Sequence, residues 1–243
     1  MGLSSNSLIH FTNSKNALMN ILNEEFGIKY CSEEIITPDG NLMYAFPMVS
    51  FCDIPLSKIK DHIIKYGNYG IGLTKEWGQK HGLNPVLYVD KNSTVGSNYY
   101  SAFDELFIGK KISDLSETEL KLLDVVRYMK NYEADLITPK INIKIYRFAD
   151  EKEWRYVPPT IEAHMIVKNE VYRANKDKIN ASIETLRLGF EPRDIKYVII
   201  DNDTEISEFI DCLRKAKGKK YSYDDVERLI TRLITTEQII NDF

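Results

Sequence analysis

Apolar positions along this chain recur in two rhythms: short alternating runs bounded by turn residues, and longer stretches repeating every third or fourth residue. The run "LIHF" at 8–11 predicts a strand, and Thr12, Asn13 and Ser14 supply helix-start chemistry behind it. Leu18, Ile21, Leu22 and Phe26 then fall at helical spacing, predicting an amphipathic helix over 14–26. "IKYC" reads as a short strand, "TPDG" as a turn, and "NLMYAFPMVSF" as a strand that Pro47 bends or confines to an edge. Pro55 suits the first turn of a helix carrying Ile59, Ile63 and Tyr66, with Gly67 closing it. "YGIGL" and "PVLYV" read as strands around a short helix near 75–81.

A largely helical stretch is expected from 98 to 131, and Ser116 and Glu119 form a capping box within it. "INIKIYRF" at 141–148 alternates, "EWRYVP" resumes the extended pattern, and "IKYVII" reads as a late buried strand. Two helices, over 204–216 and 222–242, close the chain. Short strands with helices inserted among them, without even βαβ units or repeats, predict an α+β fold. The expected organisation is one α+β domain over 1–203 and a C-terminal helical extension over 204–243 packed on it.

Composition narrows the function class. The 243 residues are 43% hydrophobic and 28% charged, ordinary for a globular protein. A net charge of −4 gives no whole-chain case for nucleic-acid binding. The basic cluster Lys215, Lys217, Lys219 and Lys220 suits a helix C-terminus instead. No apolar run is long enough for a membrane span, the start of the chain is polar, and three widely spaced cysteines make no disulfide framework. A reduced, cytoplasmic protein is expected.

Four features could carry chemistry. His10 lies within the first strand, with the Thr12 hydroxyl after it, and Ser50 ends a strand ahead of Phe51, Cys52 and Asp53. Glu151 and Glu153 stand two apart, which in an extended chain places both carboxylates on one face. Such a pair repels itself unless a ligand, a cation or an arginine uses it. Tyr66 and Tyr69 flank glycines where a ring could cover a flat ligand. P-loop, dinucleotide, zincin and esterase motifs have no match, and His62, His81 and His164 have no partner at metal-ligand spacing. No metal site is expected.

The order histidine strand, serine strand, late Glu-x-Glu resembles the ADP-ribosyltransferase fold, a mixed sheet cleft that binds NAD. The chain is also similar, over 8–201, to the AbiGi-like family of abortive phage-infection proteins. "HFT", "MVSFCDIPLSKIKDHIIKYGNYGIGLTKEWG", "NPVLYV", "EKEWRYV" and "DIKYVIID" carry that similarity. In two-gene abortive-infection systems the AbiGi component is described as the antitoxin. The transferase resemblance implies that His10, with Thr12 beside it, fixes a ribose of NAD. It also implies that Ser50 lies by the nicotinamide ribose and that Tyr66 or Tyr69 stacks the nicotinamide. Glu153 would stabilise the oxocarbenium-like charge, and Glu151 would orient or deprotonate a protein or nucleic-acid acceptor. Serine at 50 departs from the H-Y-E version of that motif, and histidine at 10 departs from the R-S-E version. Two functions therefore stand open: an NAD-dependent transferase, or a catalytically silent binding protein that restrains a partner toxin. A metal nuclease using Glu151, Glu153 and an upstream aspartate is a third, without ligand spacing to support it.

Overall fold

The computed structural model describes residues 5–137, 142–159, 166–218 and 220–242. His164, Lys219 and position 141 of the expected strand lie outside them. The chain groups into two compact units. Met1–Gly27, Ser50–Leu83 and Thr185–Phe243 form the first, and Ile28–Val49 with Asn84–Glu184 form the second. The residues beyond 203 group with the first unit.

In the first unit, strand segments pair in the order Leu233–Thr235, Ile195–Ile200, Tyr69–Thr74, Ser7–Thr12 and the end of Gly40–Cys52. The Leu233 pairing is parallel and the others are antiparallel, so the sheet is mixed. Together with the helices this makes the fold α+β, as the pattern predicts. Alternation along Ser7–Thr12 divides its side chains between two layers. Ile9 packs with Ile54, Ile59, Ile63, Ile199 and Ile239 on one face. On the other, His10 meets the rings of Phe26 and Phe51.

Pro55 introduces a tight 3-10 turn, Leu56–Lys58, and the α-helix Lys60–Tyr66 begins only after it. Gly67 then closes that helix at φ 118°, a left-handed conformation that favours glycine. A Cβ there would lie 2.3 Å from the Asn13 Cα and 2.5 Å from the Thr12 carbonyl oxygen. Gly67→Ala is therefore expected to cost about 1–3 kcal/mol, from backbone strain and overpacking together. A urea midpoint unchanged from the parent would contradict this.

The helix expected over 222–242 is broken. Tyr223–Ile230 and Thr236–Asp242 are helical, with the Leu233–Thr235 strand between them. The β-branched pair Ile234 and Thr235 favours extended backbone. Ile195–Ile200 supplies a strand for it to join, with the Val198 N–H donating to the Arg232 carbonyl at 3.0 Å. A remote partner thus overrides helical spacing.

The second unit is built on a hairpin, Lys29–Thr37 against Gly40–Cys52, in register from Thr37–Gly40 to Lys29–Met48. Pro47 sits inside a continuous strand opposite Tyr30, without the expected interruption. The reason is the phase of the ladder. Tyr30 directs its N–H to Asn180 and receives the Tyr172 hydroxyl on its carbonyl, so it bonds away from Pro47 and the missing N–H costs that ladder nothing. The helices Thr94–Phe107 and Glu117–Val126 pack Phe103, Leu123 and Val126 against Ile35, Leu42 and Phe46. The Ser116–Glu119 capping box opens the second helix as its sequence predicts.

Candidate functional site

The expected site residues fall in both compact units. His10, Thr12, Ser50, Tyr66 and Tyr69 belong to the first, and Glu151 and Glu153 to the second.

In the first unit, the half-buried His10 donates from Nδ1 to the Ser50 carbonyl oxygen at 2.9 Å, since a carbonyl can only accept. Burial lowers its pKa, and the bond to Ser50 opposes that only in part. The unfolded ring, titrating near 6.5, takes up a proton that the folded ring resists. Stability is thus expected to fall as pH drops below 6.5, with a shallower slope in His10→Gln. Identical pH profiles in urea would refute this. Thr12 Oγ1 accepts from the Ser14 N–H at 3.4 Å, part of the turn into the Lys15–Glu24 helix. The Tyr66 ring neighbours His62. Tyr69 stacks on Phe209 and donates its hydroxyl to Glu205 at 3.0 Å. Burial pushes that phenol up to about 12, with the bond to Glu205 adding to it.

The second unit holds a buried charge cluster. Glu153 opens the Glu153–Tyr156 strand, so Arg155 two residues on shares its face. Arg155 is fully buried, and its Nε donates to Glu153 Oε1 at 2.8 Å. Lys130, between the buried Met129 and Asn131 of another strand, donates to Glu153 Oε2 at 2.7 Å. Glu151 stands 3.6 Å from the same ammonium and accepts from the Tyr146 hydroxyl at 2.9 Å. Glu33 meets Arg155 at 3.2 Å, and the Lys130 ammonium lies 4.7 Å above the Phe148 ring.

Glu151 and Glu153 do converge, but not through extended backbone. Glu151 ends a tight turn, and Lys152 is left-handed at φ 45°. That reversal, not strand periodicity, aims both carboxylates at Lys130. The pair is also buried rather than on a solvated turn, with Glu153 at 4% exposure. Burial alone would raise the Glu153 pKa, but Arg155 and then Lys130 outweigh it and hold the carboxyl far below its ordinary range. Glu153 is a fixed anion with a cation on each oxygen.

Lys130 and Glu33 also front a groove of about 880 Å³, within the size range of ligand pockets. Sequence reasoning missed Lys130, Glu33 and Tyr146. Arg155 had a local signal, an opposite charge two residues from Glu153 on one strand face. Lys130 had none. Among the described residues, no group of three His, Cys, Asp or Glu side chains could hold a metal ion, and no helix is long and apolar enough to cross a membrane.

A family model described as "Putative abortive phage resistance protein AbiGi, antitoxin" matches residues 23–201, well over half of the chain. The chain belongs to the AbiGi family. An abortive phage resistance protein AbiGi from Lactococcus lactis subsp. cremoris is 27% identical over 220 residues, covering 81% of this chain and 88% of that protein. No solved structure matches. The AbiGi match spans stretches of both compact units, including the hairpin, Lys130 and the Glu151–Arg155 segment.

Proposed function

We propose that this AbiGi protein acts in phage defence as an antitoxin-type binding protein, restraining a partner toxin without transferring ADP-ribose. The observation that carries this reading is the state of Glu153: buried, with one oxygen bound to Lys130 and the other to Arg155. An anion that stabilises an oxocarbenium ion must direct its charge at the reacting ribose. Here that charge is already neutralised by two fixed cations. Turning it outward would take from each its shortest carboxylate contact in a buried setting, leaving Lys130 with Glu151 at 3.6 Å and Arg155 with Glu33 at 3.2 Å. The family description as an antitoxin favours the same conclusion.

Two assays decide between this reading and NAD chemistry. The first follows nicotinamide release from NAD by the purified protein, with cell lysate as a source of protein and nucleic-acid acceptors. No release above buffer is expected, from the parent or from Glu153→Gln. The second co-expresses the chain with the toxin of its two-gene system and scores growth, and rescue is expected. Nicotinamide release that Glu153→Gln abolishes, without rescue, would establish the transferase instead.

A further inference from the structure

The Lys29–Thr37 strand has one edge in the hairpin and one edge outside it. Its ladder is closed by the Thr37–Gly40 pair, and alternate residues from Thr37 back to Lys29 bond to the partner strand. The residues between them, Tyr30, Ser32, Glu34 and Ile36, point their backbone groups the other way. Both ends of that outer edge are occupied by side chains. The Asn131 amide pairs both backbone groups of Ile36, at 2.8 and 2.9 Å, as a neighbouring strand would. Asn180 and the Tyr172 hydroxyl do the same for Tyr30, at 2.9 and 2.7 Å. Between these stops, the backbone groups of Ser32 and Glu34 have no partner among the described residues.

That open window forms one wall of the 880 Å³ groove. Ala134, Asp135, Leu136 and Ile137 form another, from a strand whose own partner is Asn142–Arg147. The charges of the groove are uneven. Glu33 is paired with Arg155, and Asp135 with Lys144 and the Ile145 N–H, while Glu34, bonded to the neutral Asn41 amide, keeps its charge. Lys91 and Arg173 line the groove with no carboxylate in ion-pair range among the described residues.

We infer that an extended acidic segment of a partner protein docks in this groove as an added strand, bonded to Ser32 and Glu34, its carboxylates meeting Lys91 and Arg173. The inference rests on the binding reading above and names the surface through which restraint acts. Strand addition takes affinity from main-chain bonds and specificity from alternate side chains. A second copy of this chain fits poorly. Antiparallel self-pairing about residue 33 forces Glu33 opposite Glu33, which is unfavourable, whereas an incoming partner segment is free to set a neutral residue opposite Glu33.

The test is a fluorescence-anisotropy titration with a labelled peptide of alternating valine and glutamate, against one of alternating valine and lysine. The acidic peptide is expected to bind at least tenfold more tightly. Glu34→Pro deletes an outward N–H while leaving the hairpin ladder whole, and it is expected to weaken binding at least tenfold with an unchanged circular dichroism spectrum. Arg173→Glu is expected to abolish the preference for acid. Equal binding or none for both peptides, or full binding by Glu34→Pro, overturns the inference. So does a dimer in sedimentation that Glu34→Pro dissociates, which would make a second copy the occupant. Co-expression separates the two readings. If Glu34→Pro restrains the toxin as well as the parent does, the edge is not the docking surface and the antitoxin reading survives. If the parent restrains nothing, the antitoxin reading falls, whatever the peptides do.

Discussion

Arg155→Ala is expected to lower stability by about 3–5 kcal/mol, the cost of breaking a buried ion pair from one side. Arg155 is fully buried and is bound to Glu153, Glu33 and the Arg127 carbonyl. Its removal takes one of two cations from Glu153, in a setting where burial already works against a charged carboxyl. For a chain of this length the melting temperature should fall on the order of 10 °C. A loss under about 1 kcal/mol would mean the cluster behaves like surface pairs. Differential scanning calorimetry distinguishes the two.

The same physics governs how the site is probed. Glu153→Ala takes the shortest carboxylate contact from both Arg155 and Lys130, so an inactive Glu153→Ala protein would report lost folding as readily as lost chemistry. Glu153→Gln keeps the shape and one acceptor oxygen, which is why it suits the nicotinamide assay.

What the sequence disclosed was mostly local. Short apolar runs at 8–11, 69–73 and 195–200 marked strands that the fold has at Ser7–Thr12, Tyr69–Thr74 and Ile195–Ile200, and a single turn of chain contained the whole Ser116–Glu119 capping box. Features set by distant partners stayed hidden. The break in the 222–242 helix depends on Ile195–Ile200, which no local pattern around Leu233 announces. Lys130 meets Glu153 across 23 residues of sequence, and its flanking residues Met129 and Asn131 say nothing of that. Each compact unit is assembled from separated stretches, so composition along the chain could not delimit them. Glu151 and Glu153 were legible as a pair with a shared direction, for the wrong geometric reason. The repulsion argument still held: two carboxylates on one side need cations, and Lys130 with Arg155 supply them.

Trp77→Ala should cost about 3–5 kcal/mol, the range for deleting a large buried aromatic. Trp77 begins as local chemistry, because the Thr74 hydroxyl caps its N–H at 3.1 Å and starts the Lys75–Lys80 helix. That start turns the indole inward to 2% exposure, where it meets the rings of Phe51, Phe26 and His81. Two losses then coincide. Truncation opens a cavity among these rings, and it removes the Nε1–H donor that the Gly189 carbonyl accepts at 2.9 Å. Trp77→Phe refills much of the volume but not the bond, so it should fall well short of the alanine loss. Equal losses for the two variants, read from urea midpoints, would assign the effect to the hydrogen bond alone. Because Phe26 and Phe51 also flank His10, the alanine variant should raise the His10 pKa toward 6.5 as solvent reaches the imidazole. A histidine titration followed by NMR would register that shift, and an unmoved pKa would mean that the remaining rings close over the gap.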